Sequence, residues 1–197
     1  MTARKQPGRP SPRSPGLYVA LLRGINVGGK NMLPMPELAA LFGSAGCEQV
    51  RTYIQSGNVV FAATAACANG IPRTLPRLIQ KQFGFAPPVL VRSAADLAQV
   101  VAGRPFPASN ADTSVHVMFL GSPPTAGQVA GLDPGRSPGD SFVVRGSEIY
   151  LRLPSGAART KFTNAYFDAV LGTVSTGRNW RTVLTLHALV SERGARE

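Results

Sequence analysis

The chain has 197 residues, 44% of them hydrophobic, enough for one large domain or two small ones with a real core and too apolar for wholesale disorder. Twenty-one basic residues against ten acidic ones give a net charge of +11, which points toward anionic partners such as nucleic acid, nucleotides or phosphorylated metabolites. No apolar run approaches the roughly 18–20 residues that span a bilayer, and two cysteines without a CxxC pair plus two histidines offer no zinc spacing, so no membrane segment, no metal and no cofactor is expected.

Residues 1–16 carry Arg4, Lys5, Arg9 and Arg13 among Pro7, Pro10, Pro12 and Pro15. They read as a disordered basic tail without the apolar centre of a secretory signal. Four of the charges lie there, so seven remain on the rest of the chain. Seventeen arginines against four lysines, with abundant Ala, Gly and Pro, also fit a GC-rich coding bias, so the charge does not decide function alone. Cys47 and Cys67 read as reduced, small and mostly buried, which fits a cytoplasmic protein.

Order begins at Leu17. The run 17–22 is continuously apolar and ends at Arg23-Gly24, as a central strand covered on both faces does. Residues 23–34 form a Gly- and Asn-rich loop, and Pro36 suits the start of a helix through Phe42. Residues 50–55 and 59–62 are β-rich runs around Ser56-Gly57-Asn58, a hairpin signal. A helix is predicted over 72–83, with Leu75, Leu78, Ile79 and Phe83 at helical spacing, and then a short strand over 89–92.

The order β-α-β-β-α-β is the ferredoxin-like pattern. Ser93 and Asp96 are placed as a capping box for a connecting helix over 93–102. The pattern then repeats: strand 116–120, short helix 125–132, strands 141–144 and 148–153 around Arg145-Gly146-Ser147, helix 161–171, strand 173–176 and a closing helix 179–191. The reading is α+β, with a first ferredoxin-like half over 17–92, a connection over 93–113 and a second half over 114–197. The element orders match although the sequences barely do, so duplication is a hypothesis of order and spacing alone.

Gly24 to Lys30 satisfies GxxxxGK, the spacing of a phosphate-cradling P-loop. Asn31 stands where magnesium ligation needs Ser or Thr, Met32-Leu33-Pro34 delays the helix, and hairpins replace the parallel strands such a site requires. Two readings stay open: an anion nest of amides around Gly28 and Gly29 beside Arg23 and Lys30, or glycines that only turn the chain out of the sheet.

Three long segments, YVALLRGINVGGKN (18–31), VRTYIQSGNVVF (50–61) and TGRNWRTVLTL (176–186), resemble the DUF1697 family, mostly bacterial proteins of unknown function. The resemblance runs from about Tyr18 to Leu189. It implies an α+β fold with ferredoxin-like halves, and it brings no activity, cofactor or substrate. Where the family often has a Ser-Lys-Leu motif this chain reads Arg159-Thr160-Lys161-Phe162, keeping the Lys.

The candidate ligand-binding residues are Arg23, Asn26, Gly28, Gly29, Lys30 and Asn31 in the first loop. Lys161 and Asn164 at a helix start, and Arg178, Asn179 and Trp180 at the expected N-terminus of the last helix, complete the set. Gln55, Ser56 and Asn58 are secondary candidates whose other reading is turn chemistry. Capping, packing and solvation compete for each of the others as well. The first loop and the first hairpin are expected at opposite ends of the sheet, and a cleft between the halves is expected with the first loop and the Arg178 segment on one side of it.

Acids are few and unpaired, and no Ser-His-Asp or Cys-His set can be argued. The sequence therefore favours binding of an anionic ligand, a nucleotide or nucleic-acid phosphate, at that cleft. The alternatives are a metal-independent enzyme acting on a small phosphorylated or carboxylated metabolite, and an interaction module pairing through its sheet edges. The strand reading VALL lacks the aromatics of RNA-binding sheets. The oligomeric state is not legible.

Overall fold

The structure is a computed structural model and describes residues 15–107 and 113–194. Of the tail 1–16 expected to be disordered, residues 1–14 lie outside the described residues, as does the middle of the connection, 108–112, whereas Gly16 already opens the first strand. The first half runs β1 (Gly16–Leu22), α1 (Met35–Ser44), β2 (Glu48–Tyr53), β3 (Asn58–Ala63), α2 (Ala65–Phe83) and β4 (Val89–Ser93). Helix α3 (Ala94–Ala102) connects it to β5 (Val115–Leu120), α4 (Ala126–Ala130), β6 (Ser141–Arg145), β7 (Glu148–Arg152), α5 (Asn164–Leu171), β8 (Ser175–Asn179) and α6 (Trp180–Gly194). Two antiparallel sheets result, ordered β2-β3-β1-β4 and β6-β7-β5-β8, as two consecutive ferredoxin-like halves require.

The apolar run of β1 is continuous because both of its faces are buried. Ala20 and Leu22 pack with Leu38, Phe42, Ile71 and Leu75 of α1 and α2. Val19 and Leu21 point the other way, into a second cluster with Leu97 and Val100 of α3, Val183 and Leu186 of α6, and Val117 and Phe119 of β5. The two sheets thus face each other across α3 and α6. A third cluster, with Met118, Leu120, Phe162 and Phe167, closes the outer face of the second sheet.

Several expected boundaries move. Helix α2 begins after its Thr64 cap, seven residues before the expected start at Pro72, and contains Pro72 and Pro76. Each proline removes one intrahelical bond. The buried stripe Ala68, Ile71, Leu75 and Ile79 holds the helix against the sheet through both. Helix α5 starts at Asn164, with Thr163 as its cap, rather than at Lys161. The segment Thr176-Gly177-Arg178-Asn179 lies in β8, and α6 opens directly after it at Trp180.

The expectation that the first loop and the first hairpin lie at opposite ends is overturned. Strand β3 is antiparallel to both β1 and β2, so β1 and β2 run the same way and both end at the same edge of the sheet. Leu22 N–H donates to Gly57 O at 2.8 Å there.

The registers also align the halves residue by residue. Leu22 N–H donates to Gly57 O as Leu120 N–H does to Ser147 O, and Arg23 N–H to Pro88 O as Gly121 N–H does to Val174 O. Val19 pairs with Val60 and Arg92; its counterpart Val117 pairs with Tyr150 and Arg178. Arg92 and Arg178 therefore occupy equivalent positions on the last strand of each half.

Candidate functional site

The 23–34 loop is anchored at both feet by Ile25 and Leu33, each 1% exposed. Between them the chain forms a miniature hairpin. Val27 and Lys30 bridge, with Lys30 N–H donating to Val27 O at 3.1 Å. Gly28 (φ 58°) and Gly29 (φ 72°) are its two central residues, the left-handed pair that this turn demands and only glycine adopts without strain.

Asn26 locks the base. Its Oδ1 accepts Leu33 N–H at 2.7 Å, and its Nδ2 donates to Leu33 O at 3.0 Å and to Gln55 O at 3.1 Å. Asn31 Nδ2 donates to Gly24 O at 2.9 Å. The amides of Gly28 and Gly29 make no hydrogen bond among the described residues, and Lys30 is exposed beside them.

The neighbouring turn joins Tyr53 to Asn58. Gly57 is held by close approach as well as by φ 77°, since a Cβ there would lie 2.8 Å from Leu22 Cβ. Ile54 is left-handed (φ 50°) and 52% exposed, a conformation that costs a β-branched residue about 1–2 kcal/mol. Asn58 is fully buried, and its Nδ2 donates to Tyr53 O and Ser56 Oγ.

Arg178 lies beneath both segments. Its Nε donates to Asn58 Oδ1 at 2.5 Å, its Nη1 to Thr176 Oγ1 and Gly177 O, and its Nη2 to Leu22 O, Ser56 O and Gly57 O. Among the described residues no carboxylate pairs with it. Burial brings its pKa down to about 10, so it stays protonated at neutral pH. Arg178 was expected to meet a ligand at a helix N-terminus; it is instead a buried clamp of the second half on the first.

Asn179 and Trp180 also take structural parts. Asn179 Oδ1 accepts Thr182 N–H at 2.8 Å and caps α6. Trp180 is buried between the sheets with the Arg104 guanidinium 4.9 Å over its ring.

Arg23 reaches the second half from the foot of the loop. Its Nη1 donates to Asp168 Oδ2 at 2.5 Å and to Ser175 O at 3.0 Å. Ser175 Oγ donates to Asp168 Oδ1, and Asn164 Nδ2 to Ser175 Oγ. Asp168 was not singled out in the sequence, because nothing local marks an acid that faces an arginine 145 residues away. Lys161 is exposed, and its backbone is tied to Ser137 and Arg136, away from the first loop's contacts. The structure thus joins Arg23 with Asn164, and Asn26 with Gln55. It packs Arg178, Asn58 and Ser56 together and leaves Gly28, Gly29, Lys30 and Asn31 exposed at the tip.

A family model described as a protein of unknown function (DUF1697) matches residues 16–150. The chain belongs to the DUF1697 family. The closing motif 176–186, and Arg178 with it, lies beyond the matched residues. This DUF1697 chain is also similar to a solved structure of a conserved bacterial protein from Streptococcus pneumoniae, with a TM-score of 0.63 at 23% identity, covering 90% of this chain and 99% of the other; that likeness shows the fold. No curated protein matches.

A groove between the halves exists, but other residues line it than the first loop and the Arg178 segment. About 510 Å³ in volume, it lies between β4, α3 and the β6–β7 turn, with Arg92, Gln99, Arg145, Glu148 and Tyr150 on its walls. Arg92 donates to Glu148 Oε1 at 2.8 Å and to Leu120 O at 2.7 Å. Tyr150 donates to Val100 O at 2.9 Å, and burial, followed by the nearby Glu148, pushes its phenol up to about 12. Acids and bases balance around this groove. The described residues hold no cluster of three or more His, Cys, Asp or Glu able to grip a metal, and no helix among them is long and apolar enough to cross a membrane.

Proposed function

We propose that this DUF1697 protein binds a phosphate-bearing anion, a nucleotide or a nucleic-acid backbone, at the tip of the 23–34 loop. The observation that carries the reading is the coexistence of rigidity and unengaged donors. Asn26 and Asn31 fix the miniature hairpin, while the Gly28 and Gly29 amides make no hydrogen bond among the described residues and Lys30 is exposed beside them. Preorganised donors bind anions without an ordering cost at the moment of binding. The unpaired charge of Arg178 beneath the turn adds to the attraction. Fluorescence anisotropy with labelled single-stranded and duplex oligonucleotides, and with a labelled nucleoside triphosphate, tests it across a salt series. Affinity falling with log salt, and falling further in Lys30→Ala, is the expected result. Affinity that is flat across salt, or no binding to any of the three at low salt, removes the proposal.

One observation favours a second reading, a protein-docking surface. The three most exposed large apolar residues among those described, Val27 (65%), Met32 (61%) and Ile54 (52%), sit on these two adjoining segments. A partner that binds this end independently of salt, and is lost in Met32→Ser, would support that reading over the anionic one.

A further inference from the structure

The two cysteines are twenty positions apart in sequence and adjacent in space. Cys47 follows the tight turn at Gly46 (φ 87°) that leads into β2. Cys67 sits in the first turn of α2, its N–H held by the Thr64 cap. The Cys67 thiol donates to Ala45 O at 3.3 Å, and its Sγ is the atom that a Cβ at Gly46 would meet, at 3.7 Å. Cys67 therefore lies over the residues that lead directly into Cys47, and both belong to the same apolar cluster. Cys47 is buried while Cys67 is half-exposed. Burial, then the proximity of Cys67, pushes the Cys47 thiol up to about 12, so Cys47 is held as a thiol and a reagent from solvent meets Cys67 first.

We propose that Cys47 and Cys67 are a redox modification site, closing an intramolecular disulfide when the protein meets a hydroperoxide. Cys67 sulfur, as thiolate, attacks the distal peroxide oxygen. The O–O bond breaks, the alcohol or water leaves with a proton, and Cys67 becomes a sulfenic acid. Cys47 sulfur then attacks Cys67 sulfur, loses its proton and expels water as the S–O bond breaks. One hydroperoxide is reduced by two electrons, and two thiols become one disulfide.

The pair lies at the edge of the first sheet where β2 begins and β3 ends, opposite the edge that carries the Lys30 tip. The bond would staple the α1–β2 connection to α2 without touching the tip, so the proposal stands apart from ligand binding.

The test treats the purified full chain with hydrogen peroxide, then counts thiols under denaturing conditions and measures intact mass. The expected result is loss of both thiols, a monomer lighter by two hydrogens, a peptide pair linking 47 to 67, and full reversal by dithiothreitol. In Cys47→Ser, dimedone should trap a sulfenic acid at Cys67. In Cys67→Ser, Cys47 should survive a peroxide dose that consumes the wild-type pair. Survival of both wild-type thiols overturns the proposal. So does oxygen gained at Cys67 while Cys47 stays reduced, or a disulfide that forms only between two chains. The wild-type measurement decides whether or not either variant folds.

Discussion

Each half of the molecule sends an arginine from its last strand into the other half's first hairpin, and the two clamps differ in kind. Arg92 of β4 reaches Glu148, Leu120 O and Ser147 O in the second half. Arg178 of β8 reaches Asn58, Leu22 O and Gly57 O in the first. The positions are equivalent, yet one clamp is an ion pair beside an open groove and the other a buried cation with neutral acceptors. The surrounding turns differ in the same sense. The second half closes β6 to β7 with only Gly146-Ser147 and leaves β5 through the short segment 121–125. The first half uses four residues, 54–57, and the long 23–34 loop. The fold is satisfied by the short versions, so the extra length and the strained Ile54 of the first half need another reason, and function is the one we give them.

That contrast can be broken at four places. Arg178→Met leaves Asn58 Oδ1 and the Leu22 carbonyl buried without their donor, while Gly57 O keeps Leu22 N–H, and should destabilise by about 4 kcal/mol in urea unfolding. Arg92→Met, with Glu148 partly exposed, should cost about half as much. Equal losses would erase the distinction between the clamps.

Gly57→Ala should cost about 3 kcal/mol, from the clash with Leu22 together with a left-handed φ. Gly146→Ala, with open space around it, should cost only about 1–2 kcal/mol. Ile54→Asn runs the other way. Asn tolerates the left-handed region, so thermal stability should rise by about 1 kcal/mol, while any partner using the Ile54 side chain is lost. No gain in stability would mean that the strain is not there.

The last place is the strand partner of Val19 and of its counterpart Val117, which is Val60 in the first half and Tyr150 in the second. The unfolded phenol ionises near pH 10, whereas the folded one keeps its proton to about 12. The folded state thus binds more protons between those values, and stability falls as pH rises through that window. Tyr150→Phe should cost about 1 kcal/mol at neutral pH and flatten the alkaline decline, as followed by circular dichroism.

Much of the architecture was legible because it rests on local signals. The unbroken apolar run of β1 announced burial on both faces, and Ser93 with Asp96 forms the capping box that its spacing indicates. The failures share a cause. Thr176-Gly177-Arg178-Asn179 has little intrinsic preference for strand, and it is one only because β5 pairs with it. Pro72 looks like a helix start until the stripe from Ala68 to Ile79 is seen to hold the helix through it. The candidate site was legible as a set of polar residues. Which of them are spent inside the molecule was not, because the acceptors of Arg178 are carbonyls some 120 or more positions away that no motif encodes.

The reciprocal clamps carry one more consequence. If each half supplies the arginine that completes the other, then neither is a free-standing module, and α3 of the connection adds Leu97 and Val100 to the core that joins them. A chain cut between the halves should stay assembled as a two-piece complex. Either piece made alone should be poorly folded until the other is added, which makes this protein a natural split reporter.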